Sequence, residues 1–441
     1  MIQIDPGPAS SKLPAKVDIV VIGGGIIGTS TTWFLAKKGV SVLLCEKGVI
    51  AGEQSSRNWG FVRQQGRAIQ EVPLIMESLR IWRGLDKEIE DNTGFHQGGV
   101  VYVAQNEDRI AGFERFLEIA KQVQLDTRLL SAAELKQQIP DFAGPYAGAL
   151  TTPSDGRAEP TKAAPAMARA AARLGAHVMT NCAVRGLDMA GGKLAGVVTE
   201  HGRVACERVV LAGGAWSSLF SGRHAVTLPQ LKVQNNVFRT TPAPNVTNGA
   251  LWSLPVAIRR RQDGGYSVAH GKTSEFHIVP DGFKYFRKFL PAFKEEREGI
   301  TLRFGHRFFR ELFTPRHWAL DTPSPFEDVR VLDPKPTQRL IDETYRNLIA
   351  CFPVMKDVKI AEAWAGLIDV TPDAIPVISP VDDVPGFYLA TGFSGHGFGI
   401  GPGAGRLASE MVTDAPTCVD LRPFRYGRFF DGSPLQLGPG V

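Results

Sequence analysis

The chain has no stretch that reaches the about eighteen consecutive apolar residues needed to cross a bilayer. Met1 to Lys16 is too polar for a secretory signal. Cysteine is scarce. The five (Cys45, Cys182, Cys206, Cys351, Cys418) are scattered, odd in number and without C-x-x-C spacing. That excludes a disulfide framework, suits a reducing compartment and supports no zinc or other metal site. A long basic block is missing too, and a formal net charge of +5 is no nucleic-acid signature. Internal repeats and low-complexity tracts are absent. These absences leave a cytoplasmic globular protein, free or resting on the inner face of a membrane. At 441 residues two domains are the default.

What is present begins with Val17–Glu46, VDIVVIGGGIIGTSTTWFLAKKGVSVLLCE. The apolar run Ile19–Ile22 suits a buried parallel strand. Gly23, Gly25 and Gly28 follow in G-x-G-x-x-G spacing, and Ile26 and Ile27 open a helix that runs to about Lys38. A second apolar run, Val40–Cys45, closes on Glu46, 18 residues after Gly28. Glycines at these places allow a tight turn, backbone approach to a pyrophosphate and close helix–strand packing. The helix N-terminus stabilises the phosphate charge. A carboxylate at the end of the second strand accepts hydrogen bonds from ribose hydroxyls, and Glu rather than a basic residue there argues against a 2′-phosphate. The residues themselves leave FAD and NAD open.

Along the chain, Met1–Lys16 reads as an extended arm with Pro6, Pro8 and Pro14. Residues 17–91 form the first part of the dinucleotide domain. It contains a polar loop, Gly52–Arg67, placed to lie along a cofactor, and an amphipathic helix from Glu71 to Asp91. Residues 92–149 (strand Gly98–Ala104, helix Asn106–Val123) begin a second domain. Residues 150–227 return to the first, with a helix Thr161–Leu174, a strand 176–184, a hairpin and the strand-to-glycine turn RVVLAGGAWS (208–217). Residues 228–360 resume the second domain, and 361–441 complete the first, ending in a helix Ala404–Val412. The fold class expected is α/β (α+β overall): a discontinuous Rossmann-like domain with an interleaved domain on a mixed β-sheet. Phe283–Trp318 interleaves basic and aromatic residues, which suits a membrane surface or an interdomain face.

Three motifs in this order, IGGGIIG…EKG, VVLAGGAWS and GFSGHGFGIGPGAGRL, resemble the D-amino-acid oxidase superfamily in its sarcosine oxidase, glycine oxidase and DadA-like branch. The resemblance covers most of the chain. It implies FAD rather than NAD, and a substrate domain over the flavin. It assigns Gly23, Gly25, Gly28 and Glu46 to the pyrophosphate and ribose, with Lys47 beside them. It gives Ser55, Ser56 and Arg57 to the loop under the phosphates and flavin, and Val184 to the adenine side. Gly213, Gly214 and Trp216 form the second glycine turn. Gly395, His396, Gly397 and Phe398 form the loop whose amides reach the flavin's pyrimidine edge and stabilise the reduced, anionic ring. Four departures stand out. Gly366 occupies the position of a flavin-linking cysteine, which implies noncovalent FAD. Ser267 takes the place of the lysine over the flavin. Ile368 replaces an arginine, and Gly399 a lysine, that anchor substrate in relatives.

The implied reaction is FAD-dependent oxidation of an α-amino acid, D or L. Hydride passes from Cα to flavin N5, and the imine hydrolyses to a 2-oxo acid and ammonia. An N-substituted amino acid (sarcosine- or hydroxyproline-like) is the close alternative. A non-catalytic or electron-transfer flavoprotein subunit is the alternative from another class. With the familiar anchors gone, Arg63 is the candidate for the substrate carboxylate, against a structural or phosphate-facing role. His396 is the candidate for tuning the flavin or the amine's proton, against a structural role. His270 and Trp364 are further substrate-binding candidates, and Trp59 a wall of the pocket. The electron acceptor is O2 or a quinone or artificial acceptor, and the missing lysine tilts towards the second. Self-association is left open.

Overall fold

In a computed structural model, which describes residues 2–435 and 437, the dinucleotide unit folds as β1 (Ile19–Ile22), α1 (Ile26–Lys37) and β2 (Val42–Cys45). β1 lies between β2 and the strand Arg208–Leu211, parallel to both. The sheet continues through His177–Met179 on one side and Phe387–Thr391 and Val377–Pro380 on the other, only the last pair being antiparallel. Val20, Val21 and Leu211 are buried, as apolar runs in a sheet covered on both faces must be. α1 carries four consecutive polar residues, Thr29–Thr32, at 0% exposure. Each hydroxyl donates to a carbonyl one turn back, so none is left unsatisfied.

The second domain is a ten-stranded mixed sheet. Its centre is the long strand Leu231–Thr240, antiparallel to Ile360–Val370 along its length. One face is covered by the helix Gln338–Cys351, whose Ile341 and Leu348 pack on Phe238, Ile258 and Val268. The other face, with Val237, Ala269 and Trp364, meets the first domain, where Trp364 Nε1 donates to the Arg57 carbonyl. Two expected boundaries fall inside strands. Gly148–Thr152 pairs with Val100–Ala104, so the crossing expected at 149/150 comes after Thr152. Ile360–Val370 belongs to the second sheet, so the crossing expected at 360/361 comes after Val370. Each crossing follows directly on a strand, with no change in composition to mark it.

Other expected elements shift. The strand expected over 176–184 stops at Met179. Asn181 has φ +46°, and the next strand starts at Val184. The C-terminal helix is longer than expected, Gly397–Val412, and takes in the whole GFGIGPGAG run. The arm is extended but docked. Asp5 N–H donates to the Thr161 carbonyl and Ser10 N–H to that of Val178, and Ile2 packs on Val237, Ala269 and Trp364.

The basic and aromatic stretch forms short helices, Pro280–Lys284, Phe286–Glu296 and His306–Phe313, with no buried residue in any. Phe283, Phe304 and Phe313 are among its exposed rings. Among the described residues no helix is long and apolar enough to cross a membrane.

The domains are locked by a buried ion pair. Arg259, on the second sheet, donates to Glu159 Oε1 at 2.9 Å, to Ser267 Oγ at 2.9 Å and to the Trp59 carbonyl at 2.7 Å. Ser267 therefore supports a structural arginine.

Candidate functional site

A cleft along the C-terminal ends of β1 and β2 is lined by Gly23, Gly25, Ile26, Ile27, Glu46, Lys47, Ser55, Val184, Gly213, Gly214, Trp216, Gly395, Gly397 and Phe398. Three expected motifs, far apart in the chain, meet there. Gly23 has φ +111°, and a Cβ on Gly28 would lie 1.9 Å from the Gly23 carbonyl oxygen, so the turn closes only with glycine. Gly28 therefore shapes the cradle without lining it. The N-terminus of α1 has no side-chain cap of its own at Gly25. Ser55 Oγ accepts from Ile26 N–H at 2.8 Å. Glu46 accepts from Gly24 N–H and Gly48 N–H, both at 2.7 Å. Burial pushes its carboxyl up, with Lys47 and those amides opposing. A helix N-terminus at the cleft, a glycine cradle a Cβ would fill and an acid at the strand end fit an adenine dinucleotide. Adjacent to the cleft, Gln54 Oε1 is buried without a donor and faces the space a Cβ on Gly366 would take.

Several expected contacts lie elsewhere. Lys47 Nζ donates to Glu53 and to the carbonyls of Val329 and Arg330, tying the second domain to the cleft wall. Arg57 is buried away from the cleft. It donates to Asp333 at 2.6 Å and to the carbonyls of Ala365 and Gly52. Ser56 Oγ turns back to the Glu53 carbonyl. Trp364 Nε1 donates to the Arg57 carbonyl at 3.0 Å and packs in a small apolar cluster with Trp59 at its margin. His270 Nδ1 accepts from the amides of Lys272 and Thr273, and its Nε2 is 3.9 Å from Glu343 on the helix behind the sheet. Its role is to close a turn. None of Ser56, Arg57, His270 and Trp364 lines the cleft, because each serves a backbone group or a domain contact.

Arg63 and His396 do not line the cleft either; they belong to a charged cluster beside the cleft's Gly395–Phe398 wall. Gly399 abuts the backbone of Phe61–Arg63, so the glycine-rich helix and the loop after the Phe61–Val62 strand are in contact. Arg63 donates to the Gln65 carbonyl and lies 5.6 Å from the Tyr102 ring, and no ion pair engages it among the described residues. Arg67 is 2% exposed and donates to the carbonyls of Arg63 and His396. Burial and the neighbouring Arg63 pull its guanidinium down to about 10. Glu71 accepts from His396 Nδ1 at 3.0 Å and lies 3.6 Å from Arg67. Burial would raise the Glu71 carboxyl, but His396, Arg67 and Arg63 outweigh it and hold it low. Burial likewise pulls the imidazole of His396 down, and Glu71 only partly restores it. Asp155 accepts from the amides of Gln64 and Gln65, and burial pushes it up to about 7. Gln65 Nε2 is buried without an acceptor, and Arg67 Nη1, also buried, has Glu71 only at 3.6 Å, beyond hydrogen-bond distance.

Gln65, Arg67, Glu71 and Asp155 were not expected as site residues. The Arg67/Glu71 spacing of four was visible, but it reads equally as a helix-surface pair. Only burial distinguishes the two.

A family model described as FAD dependent oxidoreductase matches residues 18–411. Among solved structures, L-amino acid deaminase from Proteus myxofaciens, in complex with anthranilate, superposes with a TM-score of 0.92 at 31% identity, covering 97% of this chain and 96% of that one. Sarcosine oxidase subunit beta of Rhodobacter capsulatus is 25% identical over 96% of this chain and 92% of its own length. Human mitochondrial sarcosine dehydrogenase is 26% identical over 96% of this chain, which spans 42% of that protein.

Proposed function

The chain belongs to the family of FAD dependent oxidoreductases, and from that premise we propose that it oxidises an L-α-amino acid to its imine, which water converts to a 2-oxo acid and ammonia. The observation that carries this reading is the group of donors around Arg63. Arg63 has no ion-pair partner among the described residues, and beside it Gln65 Nε2 is buried without an acceptor while Arg67 Nη1 has only the Glu71 carboxylate, at 3.6 Å. A buried donor without an acceptor costs about 1–3 kcal/mol, so this cluster favours an incoming anion. A planar carboxylate accepts two parallel bonds from a guanidinium and fixes the Cα it is attached to. The likeness to the deaminase of Proteus myxofaciens supports the L series and a primary amine.

When bound, FAD supplies the acceptor for the hydride leaving Cα. The cofactor is held without a covalent bond, since Gly366 has no side chain with which to form one. Around it this chain's residues have separate tasks. The α1 N-terminus and Glu46 hold the adenine dinucleotide, Arg63 holds and orients the substrate, and the walls at Phe393 and Phe398 exclude water. Ser267 carries no charge, and the arginine that donates to it, Arg259, is paired with Glu159, so a quinone or artificial acceptor is the expected oxidant.

The test is anaerobic reduction of the purified yellow protein by a panel of D-, L- and N-methyl amino acids, followed by air or an artificial acceptor. L-Amino acids bleach the flavin, and the artificial acceptor restores it faster than air. Faster bleaching by N-methyl glycine would move the assignment to the secondary amines named in the sarcosine relatives. Bleaching by no amine would sink the enzyme reading and leave an electron-transfer subunit.

A further inference from the structure

His396 sits at the point where the GFSGHGFG turn becomes a helix, with Ser394 at φ +50° and Gly395 at φ +83° on its N-terminal side. Its backbone is fixed from both sides. His396 N–H donates to the Phe393 carbonyl at 2.7 Å, and its own carbonyl accepts from Arg67 Nη2 at 3.4 Å. The ring is fixed at one nitrogen. Nδ1 is 3.1 and 3.0 Å from the two oxygens of Glu71. Glu71 is the residue before the Val72–Glu88 helix, yet its side chain does not cap that helix. It is given to the histidine instead.

The asymmetry of exposure shows where the ring's other edge goes. The Glu71 side chain is 1% exposed and that of His396 is 21% exposed. An ionised carboxylate accepts only, so Nδ1 carries the proton and Nε2 is the basic nitrogen. The ring lies within reach of the charges of Arg67 and Arg63, and the residues on either side of it, Gly395 and Gly397, line the cleft.

We propose that Glu71 is a positioning residue that holds His396 with Nδ1–H turned inward and Nε2 free, so that the imidazole accepts a proton from the substrate's α-ammonium group. The inference rests on the amino-acid reading above. An ammonium nitrogen has no lone pair to assist loss of hydride from Cα, so one N–H proton must leave first. That proton passes to Nε2, the N–H bond's electron pair stays on the amine, and the imidazolium so formed is balanced by the Glu71 carboxylate. The Cα hydrogen leaves afterwards with its bonding electron pair, as the hydride for which bound FAD would be the acceptor. The charged groups facing the ring are Glu71, Arg67 and Arg63, with Asp155 behind Arg63. Two arginines disfavour the imidazolium and one carboxylate favours it, so removing Glu71's charge weakens the base.

The experiment is the Glu71→Gln holoenzyme, compared with the parent by two readouts. One is the rate of anaerobic flavin reduction against pH, and the other is the NMR titration of His396. In the variant the His396 titration moves down by about one pH unit, and the rising limb of the rate profile moves to lower pH with it. The plateau rate falls about tenfold, and KM and FAD affinity are retained. Glu71→Asp restores part of the rate. His396→Asn, at a partly exposed position, removes the rising limb and guards against loss of fold in Glu71→Gln. An unchanged titration in Glu71→Gln, or a rising limb that persists in His396→Asn, overturns the proposal. Failure of the amino-acid reading is separate, because it shows as no bleaching in the parent, whereas the titration needs no substrate.

Discussion

The dinucleotide end of the cleft and the charged cluster beside the cleft are built in different ways. At the dinucleotide end, β1, the glycine turn, α1, β2 and Glu46 come from thirty consecutive residues, Val17–Glu46. Apart from the Ser55 hydroxyl on Ile26 N–H, the contacts there are backbone or a single carboxylate, and the distances follow from local geometry. In the cluster, Arg63, Gln65, Arg67 and Glu71 come from one loop, Asp155 from a turn far along the chain, and His396 from the C-terminal motif. No two of those segments are joined by a short connection. The first tolerates little change in backbone, and the second depends on side chains that compete for one another. A cofactor can be held by the first kind of site, but placing and deprotonating a substrate needs the second.

That difference is open to direct attack. The largest effect is expected from Gly28→Ala at the dinucleotide end. A Cβ there would stand 1.9 Å from the Gly23 carbonyl oxygen. The turn must open, at about 3 kcal/mol or more, and the protein should purify without its yellow colour and with a lowered Tm. A coloured variant would show that the cradle is less rigid than its contacts imply. Arg63→Ala should behave in the opposite way, keeping its flavin while KM for the amino acid rises roughly tenfold to a hundredfold. An unchanged KM with FAD retained would remove Arg63 from the substrate.

The smallest effect concerns stability alone. Burial holds the Asp155 carboxyl at about 7 against an ordinary 3.8. The unfolded chain ionises this group first. Its contribution is therefore complete below the unfolded value and is lost as pH rises through the folded one. Asp155→Asn should flatten the fall in stability between those two pH values, measured by denaturant unfolding at a series of pH. A parallel curve for parent and variant would mean that Arg63 and the loop amides already keep the carboxylate charged.

The same division governs what was legible in the chain. The βαβ unit, the second glycine turn and the C-terminal motif were all readable, because their spacing encodes local geometry. The helix Gly397–Val412 was only half readable. Its first turns hold Gly397, Gly399, Gly401, Gly403 and Pro402, residues that oppose helix on propensity. Tertiary packing overrides them. A Cβ on Gly405 would lie 2.3 Å from Ser30 Cβ, and one on Gly401 would lie 2.6 Å from Ile26. The glycines allow this helix to lie against α1 more closely than any other residue would. What reads as a loop is a helix–helix contact.

Arg57, His270 and Trp364 show the reverse case. Their residue types suit a site, but each is used by a nearby backbone group, Arg57 by Gly52, His270 by Lys272 and Trp364 by Arg57. The sequence by itself determined the strand, glycine turn, helix and strand-end acid of Val17–Glu46, and that the chain passes back and forth between two sheets. Both follow from periodicity and from backbone requirements within a few residues. Only the tertiary structure decided which polar side chains face one another. It buried Glu71 against His396 and left Arg67 and Gln65 each with a donor that makes no hydrogen bond, because burial and unmet hydrogen bonds are properties of packed neighbours that no single segment carries.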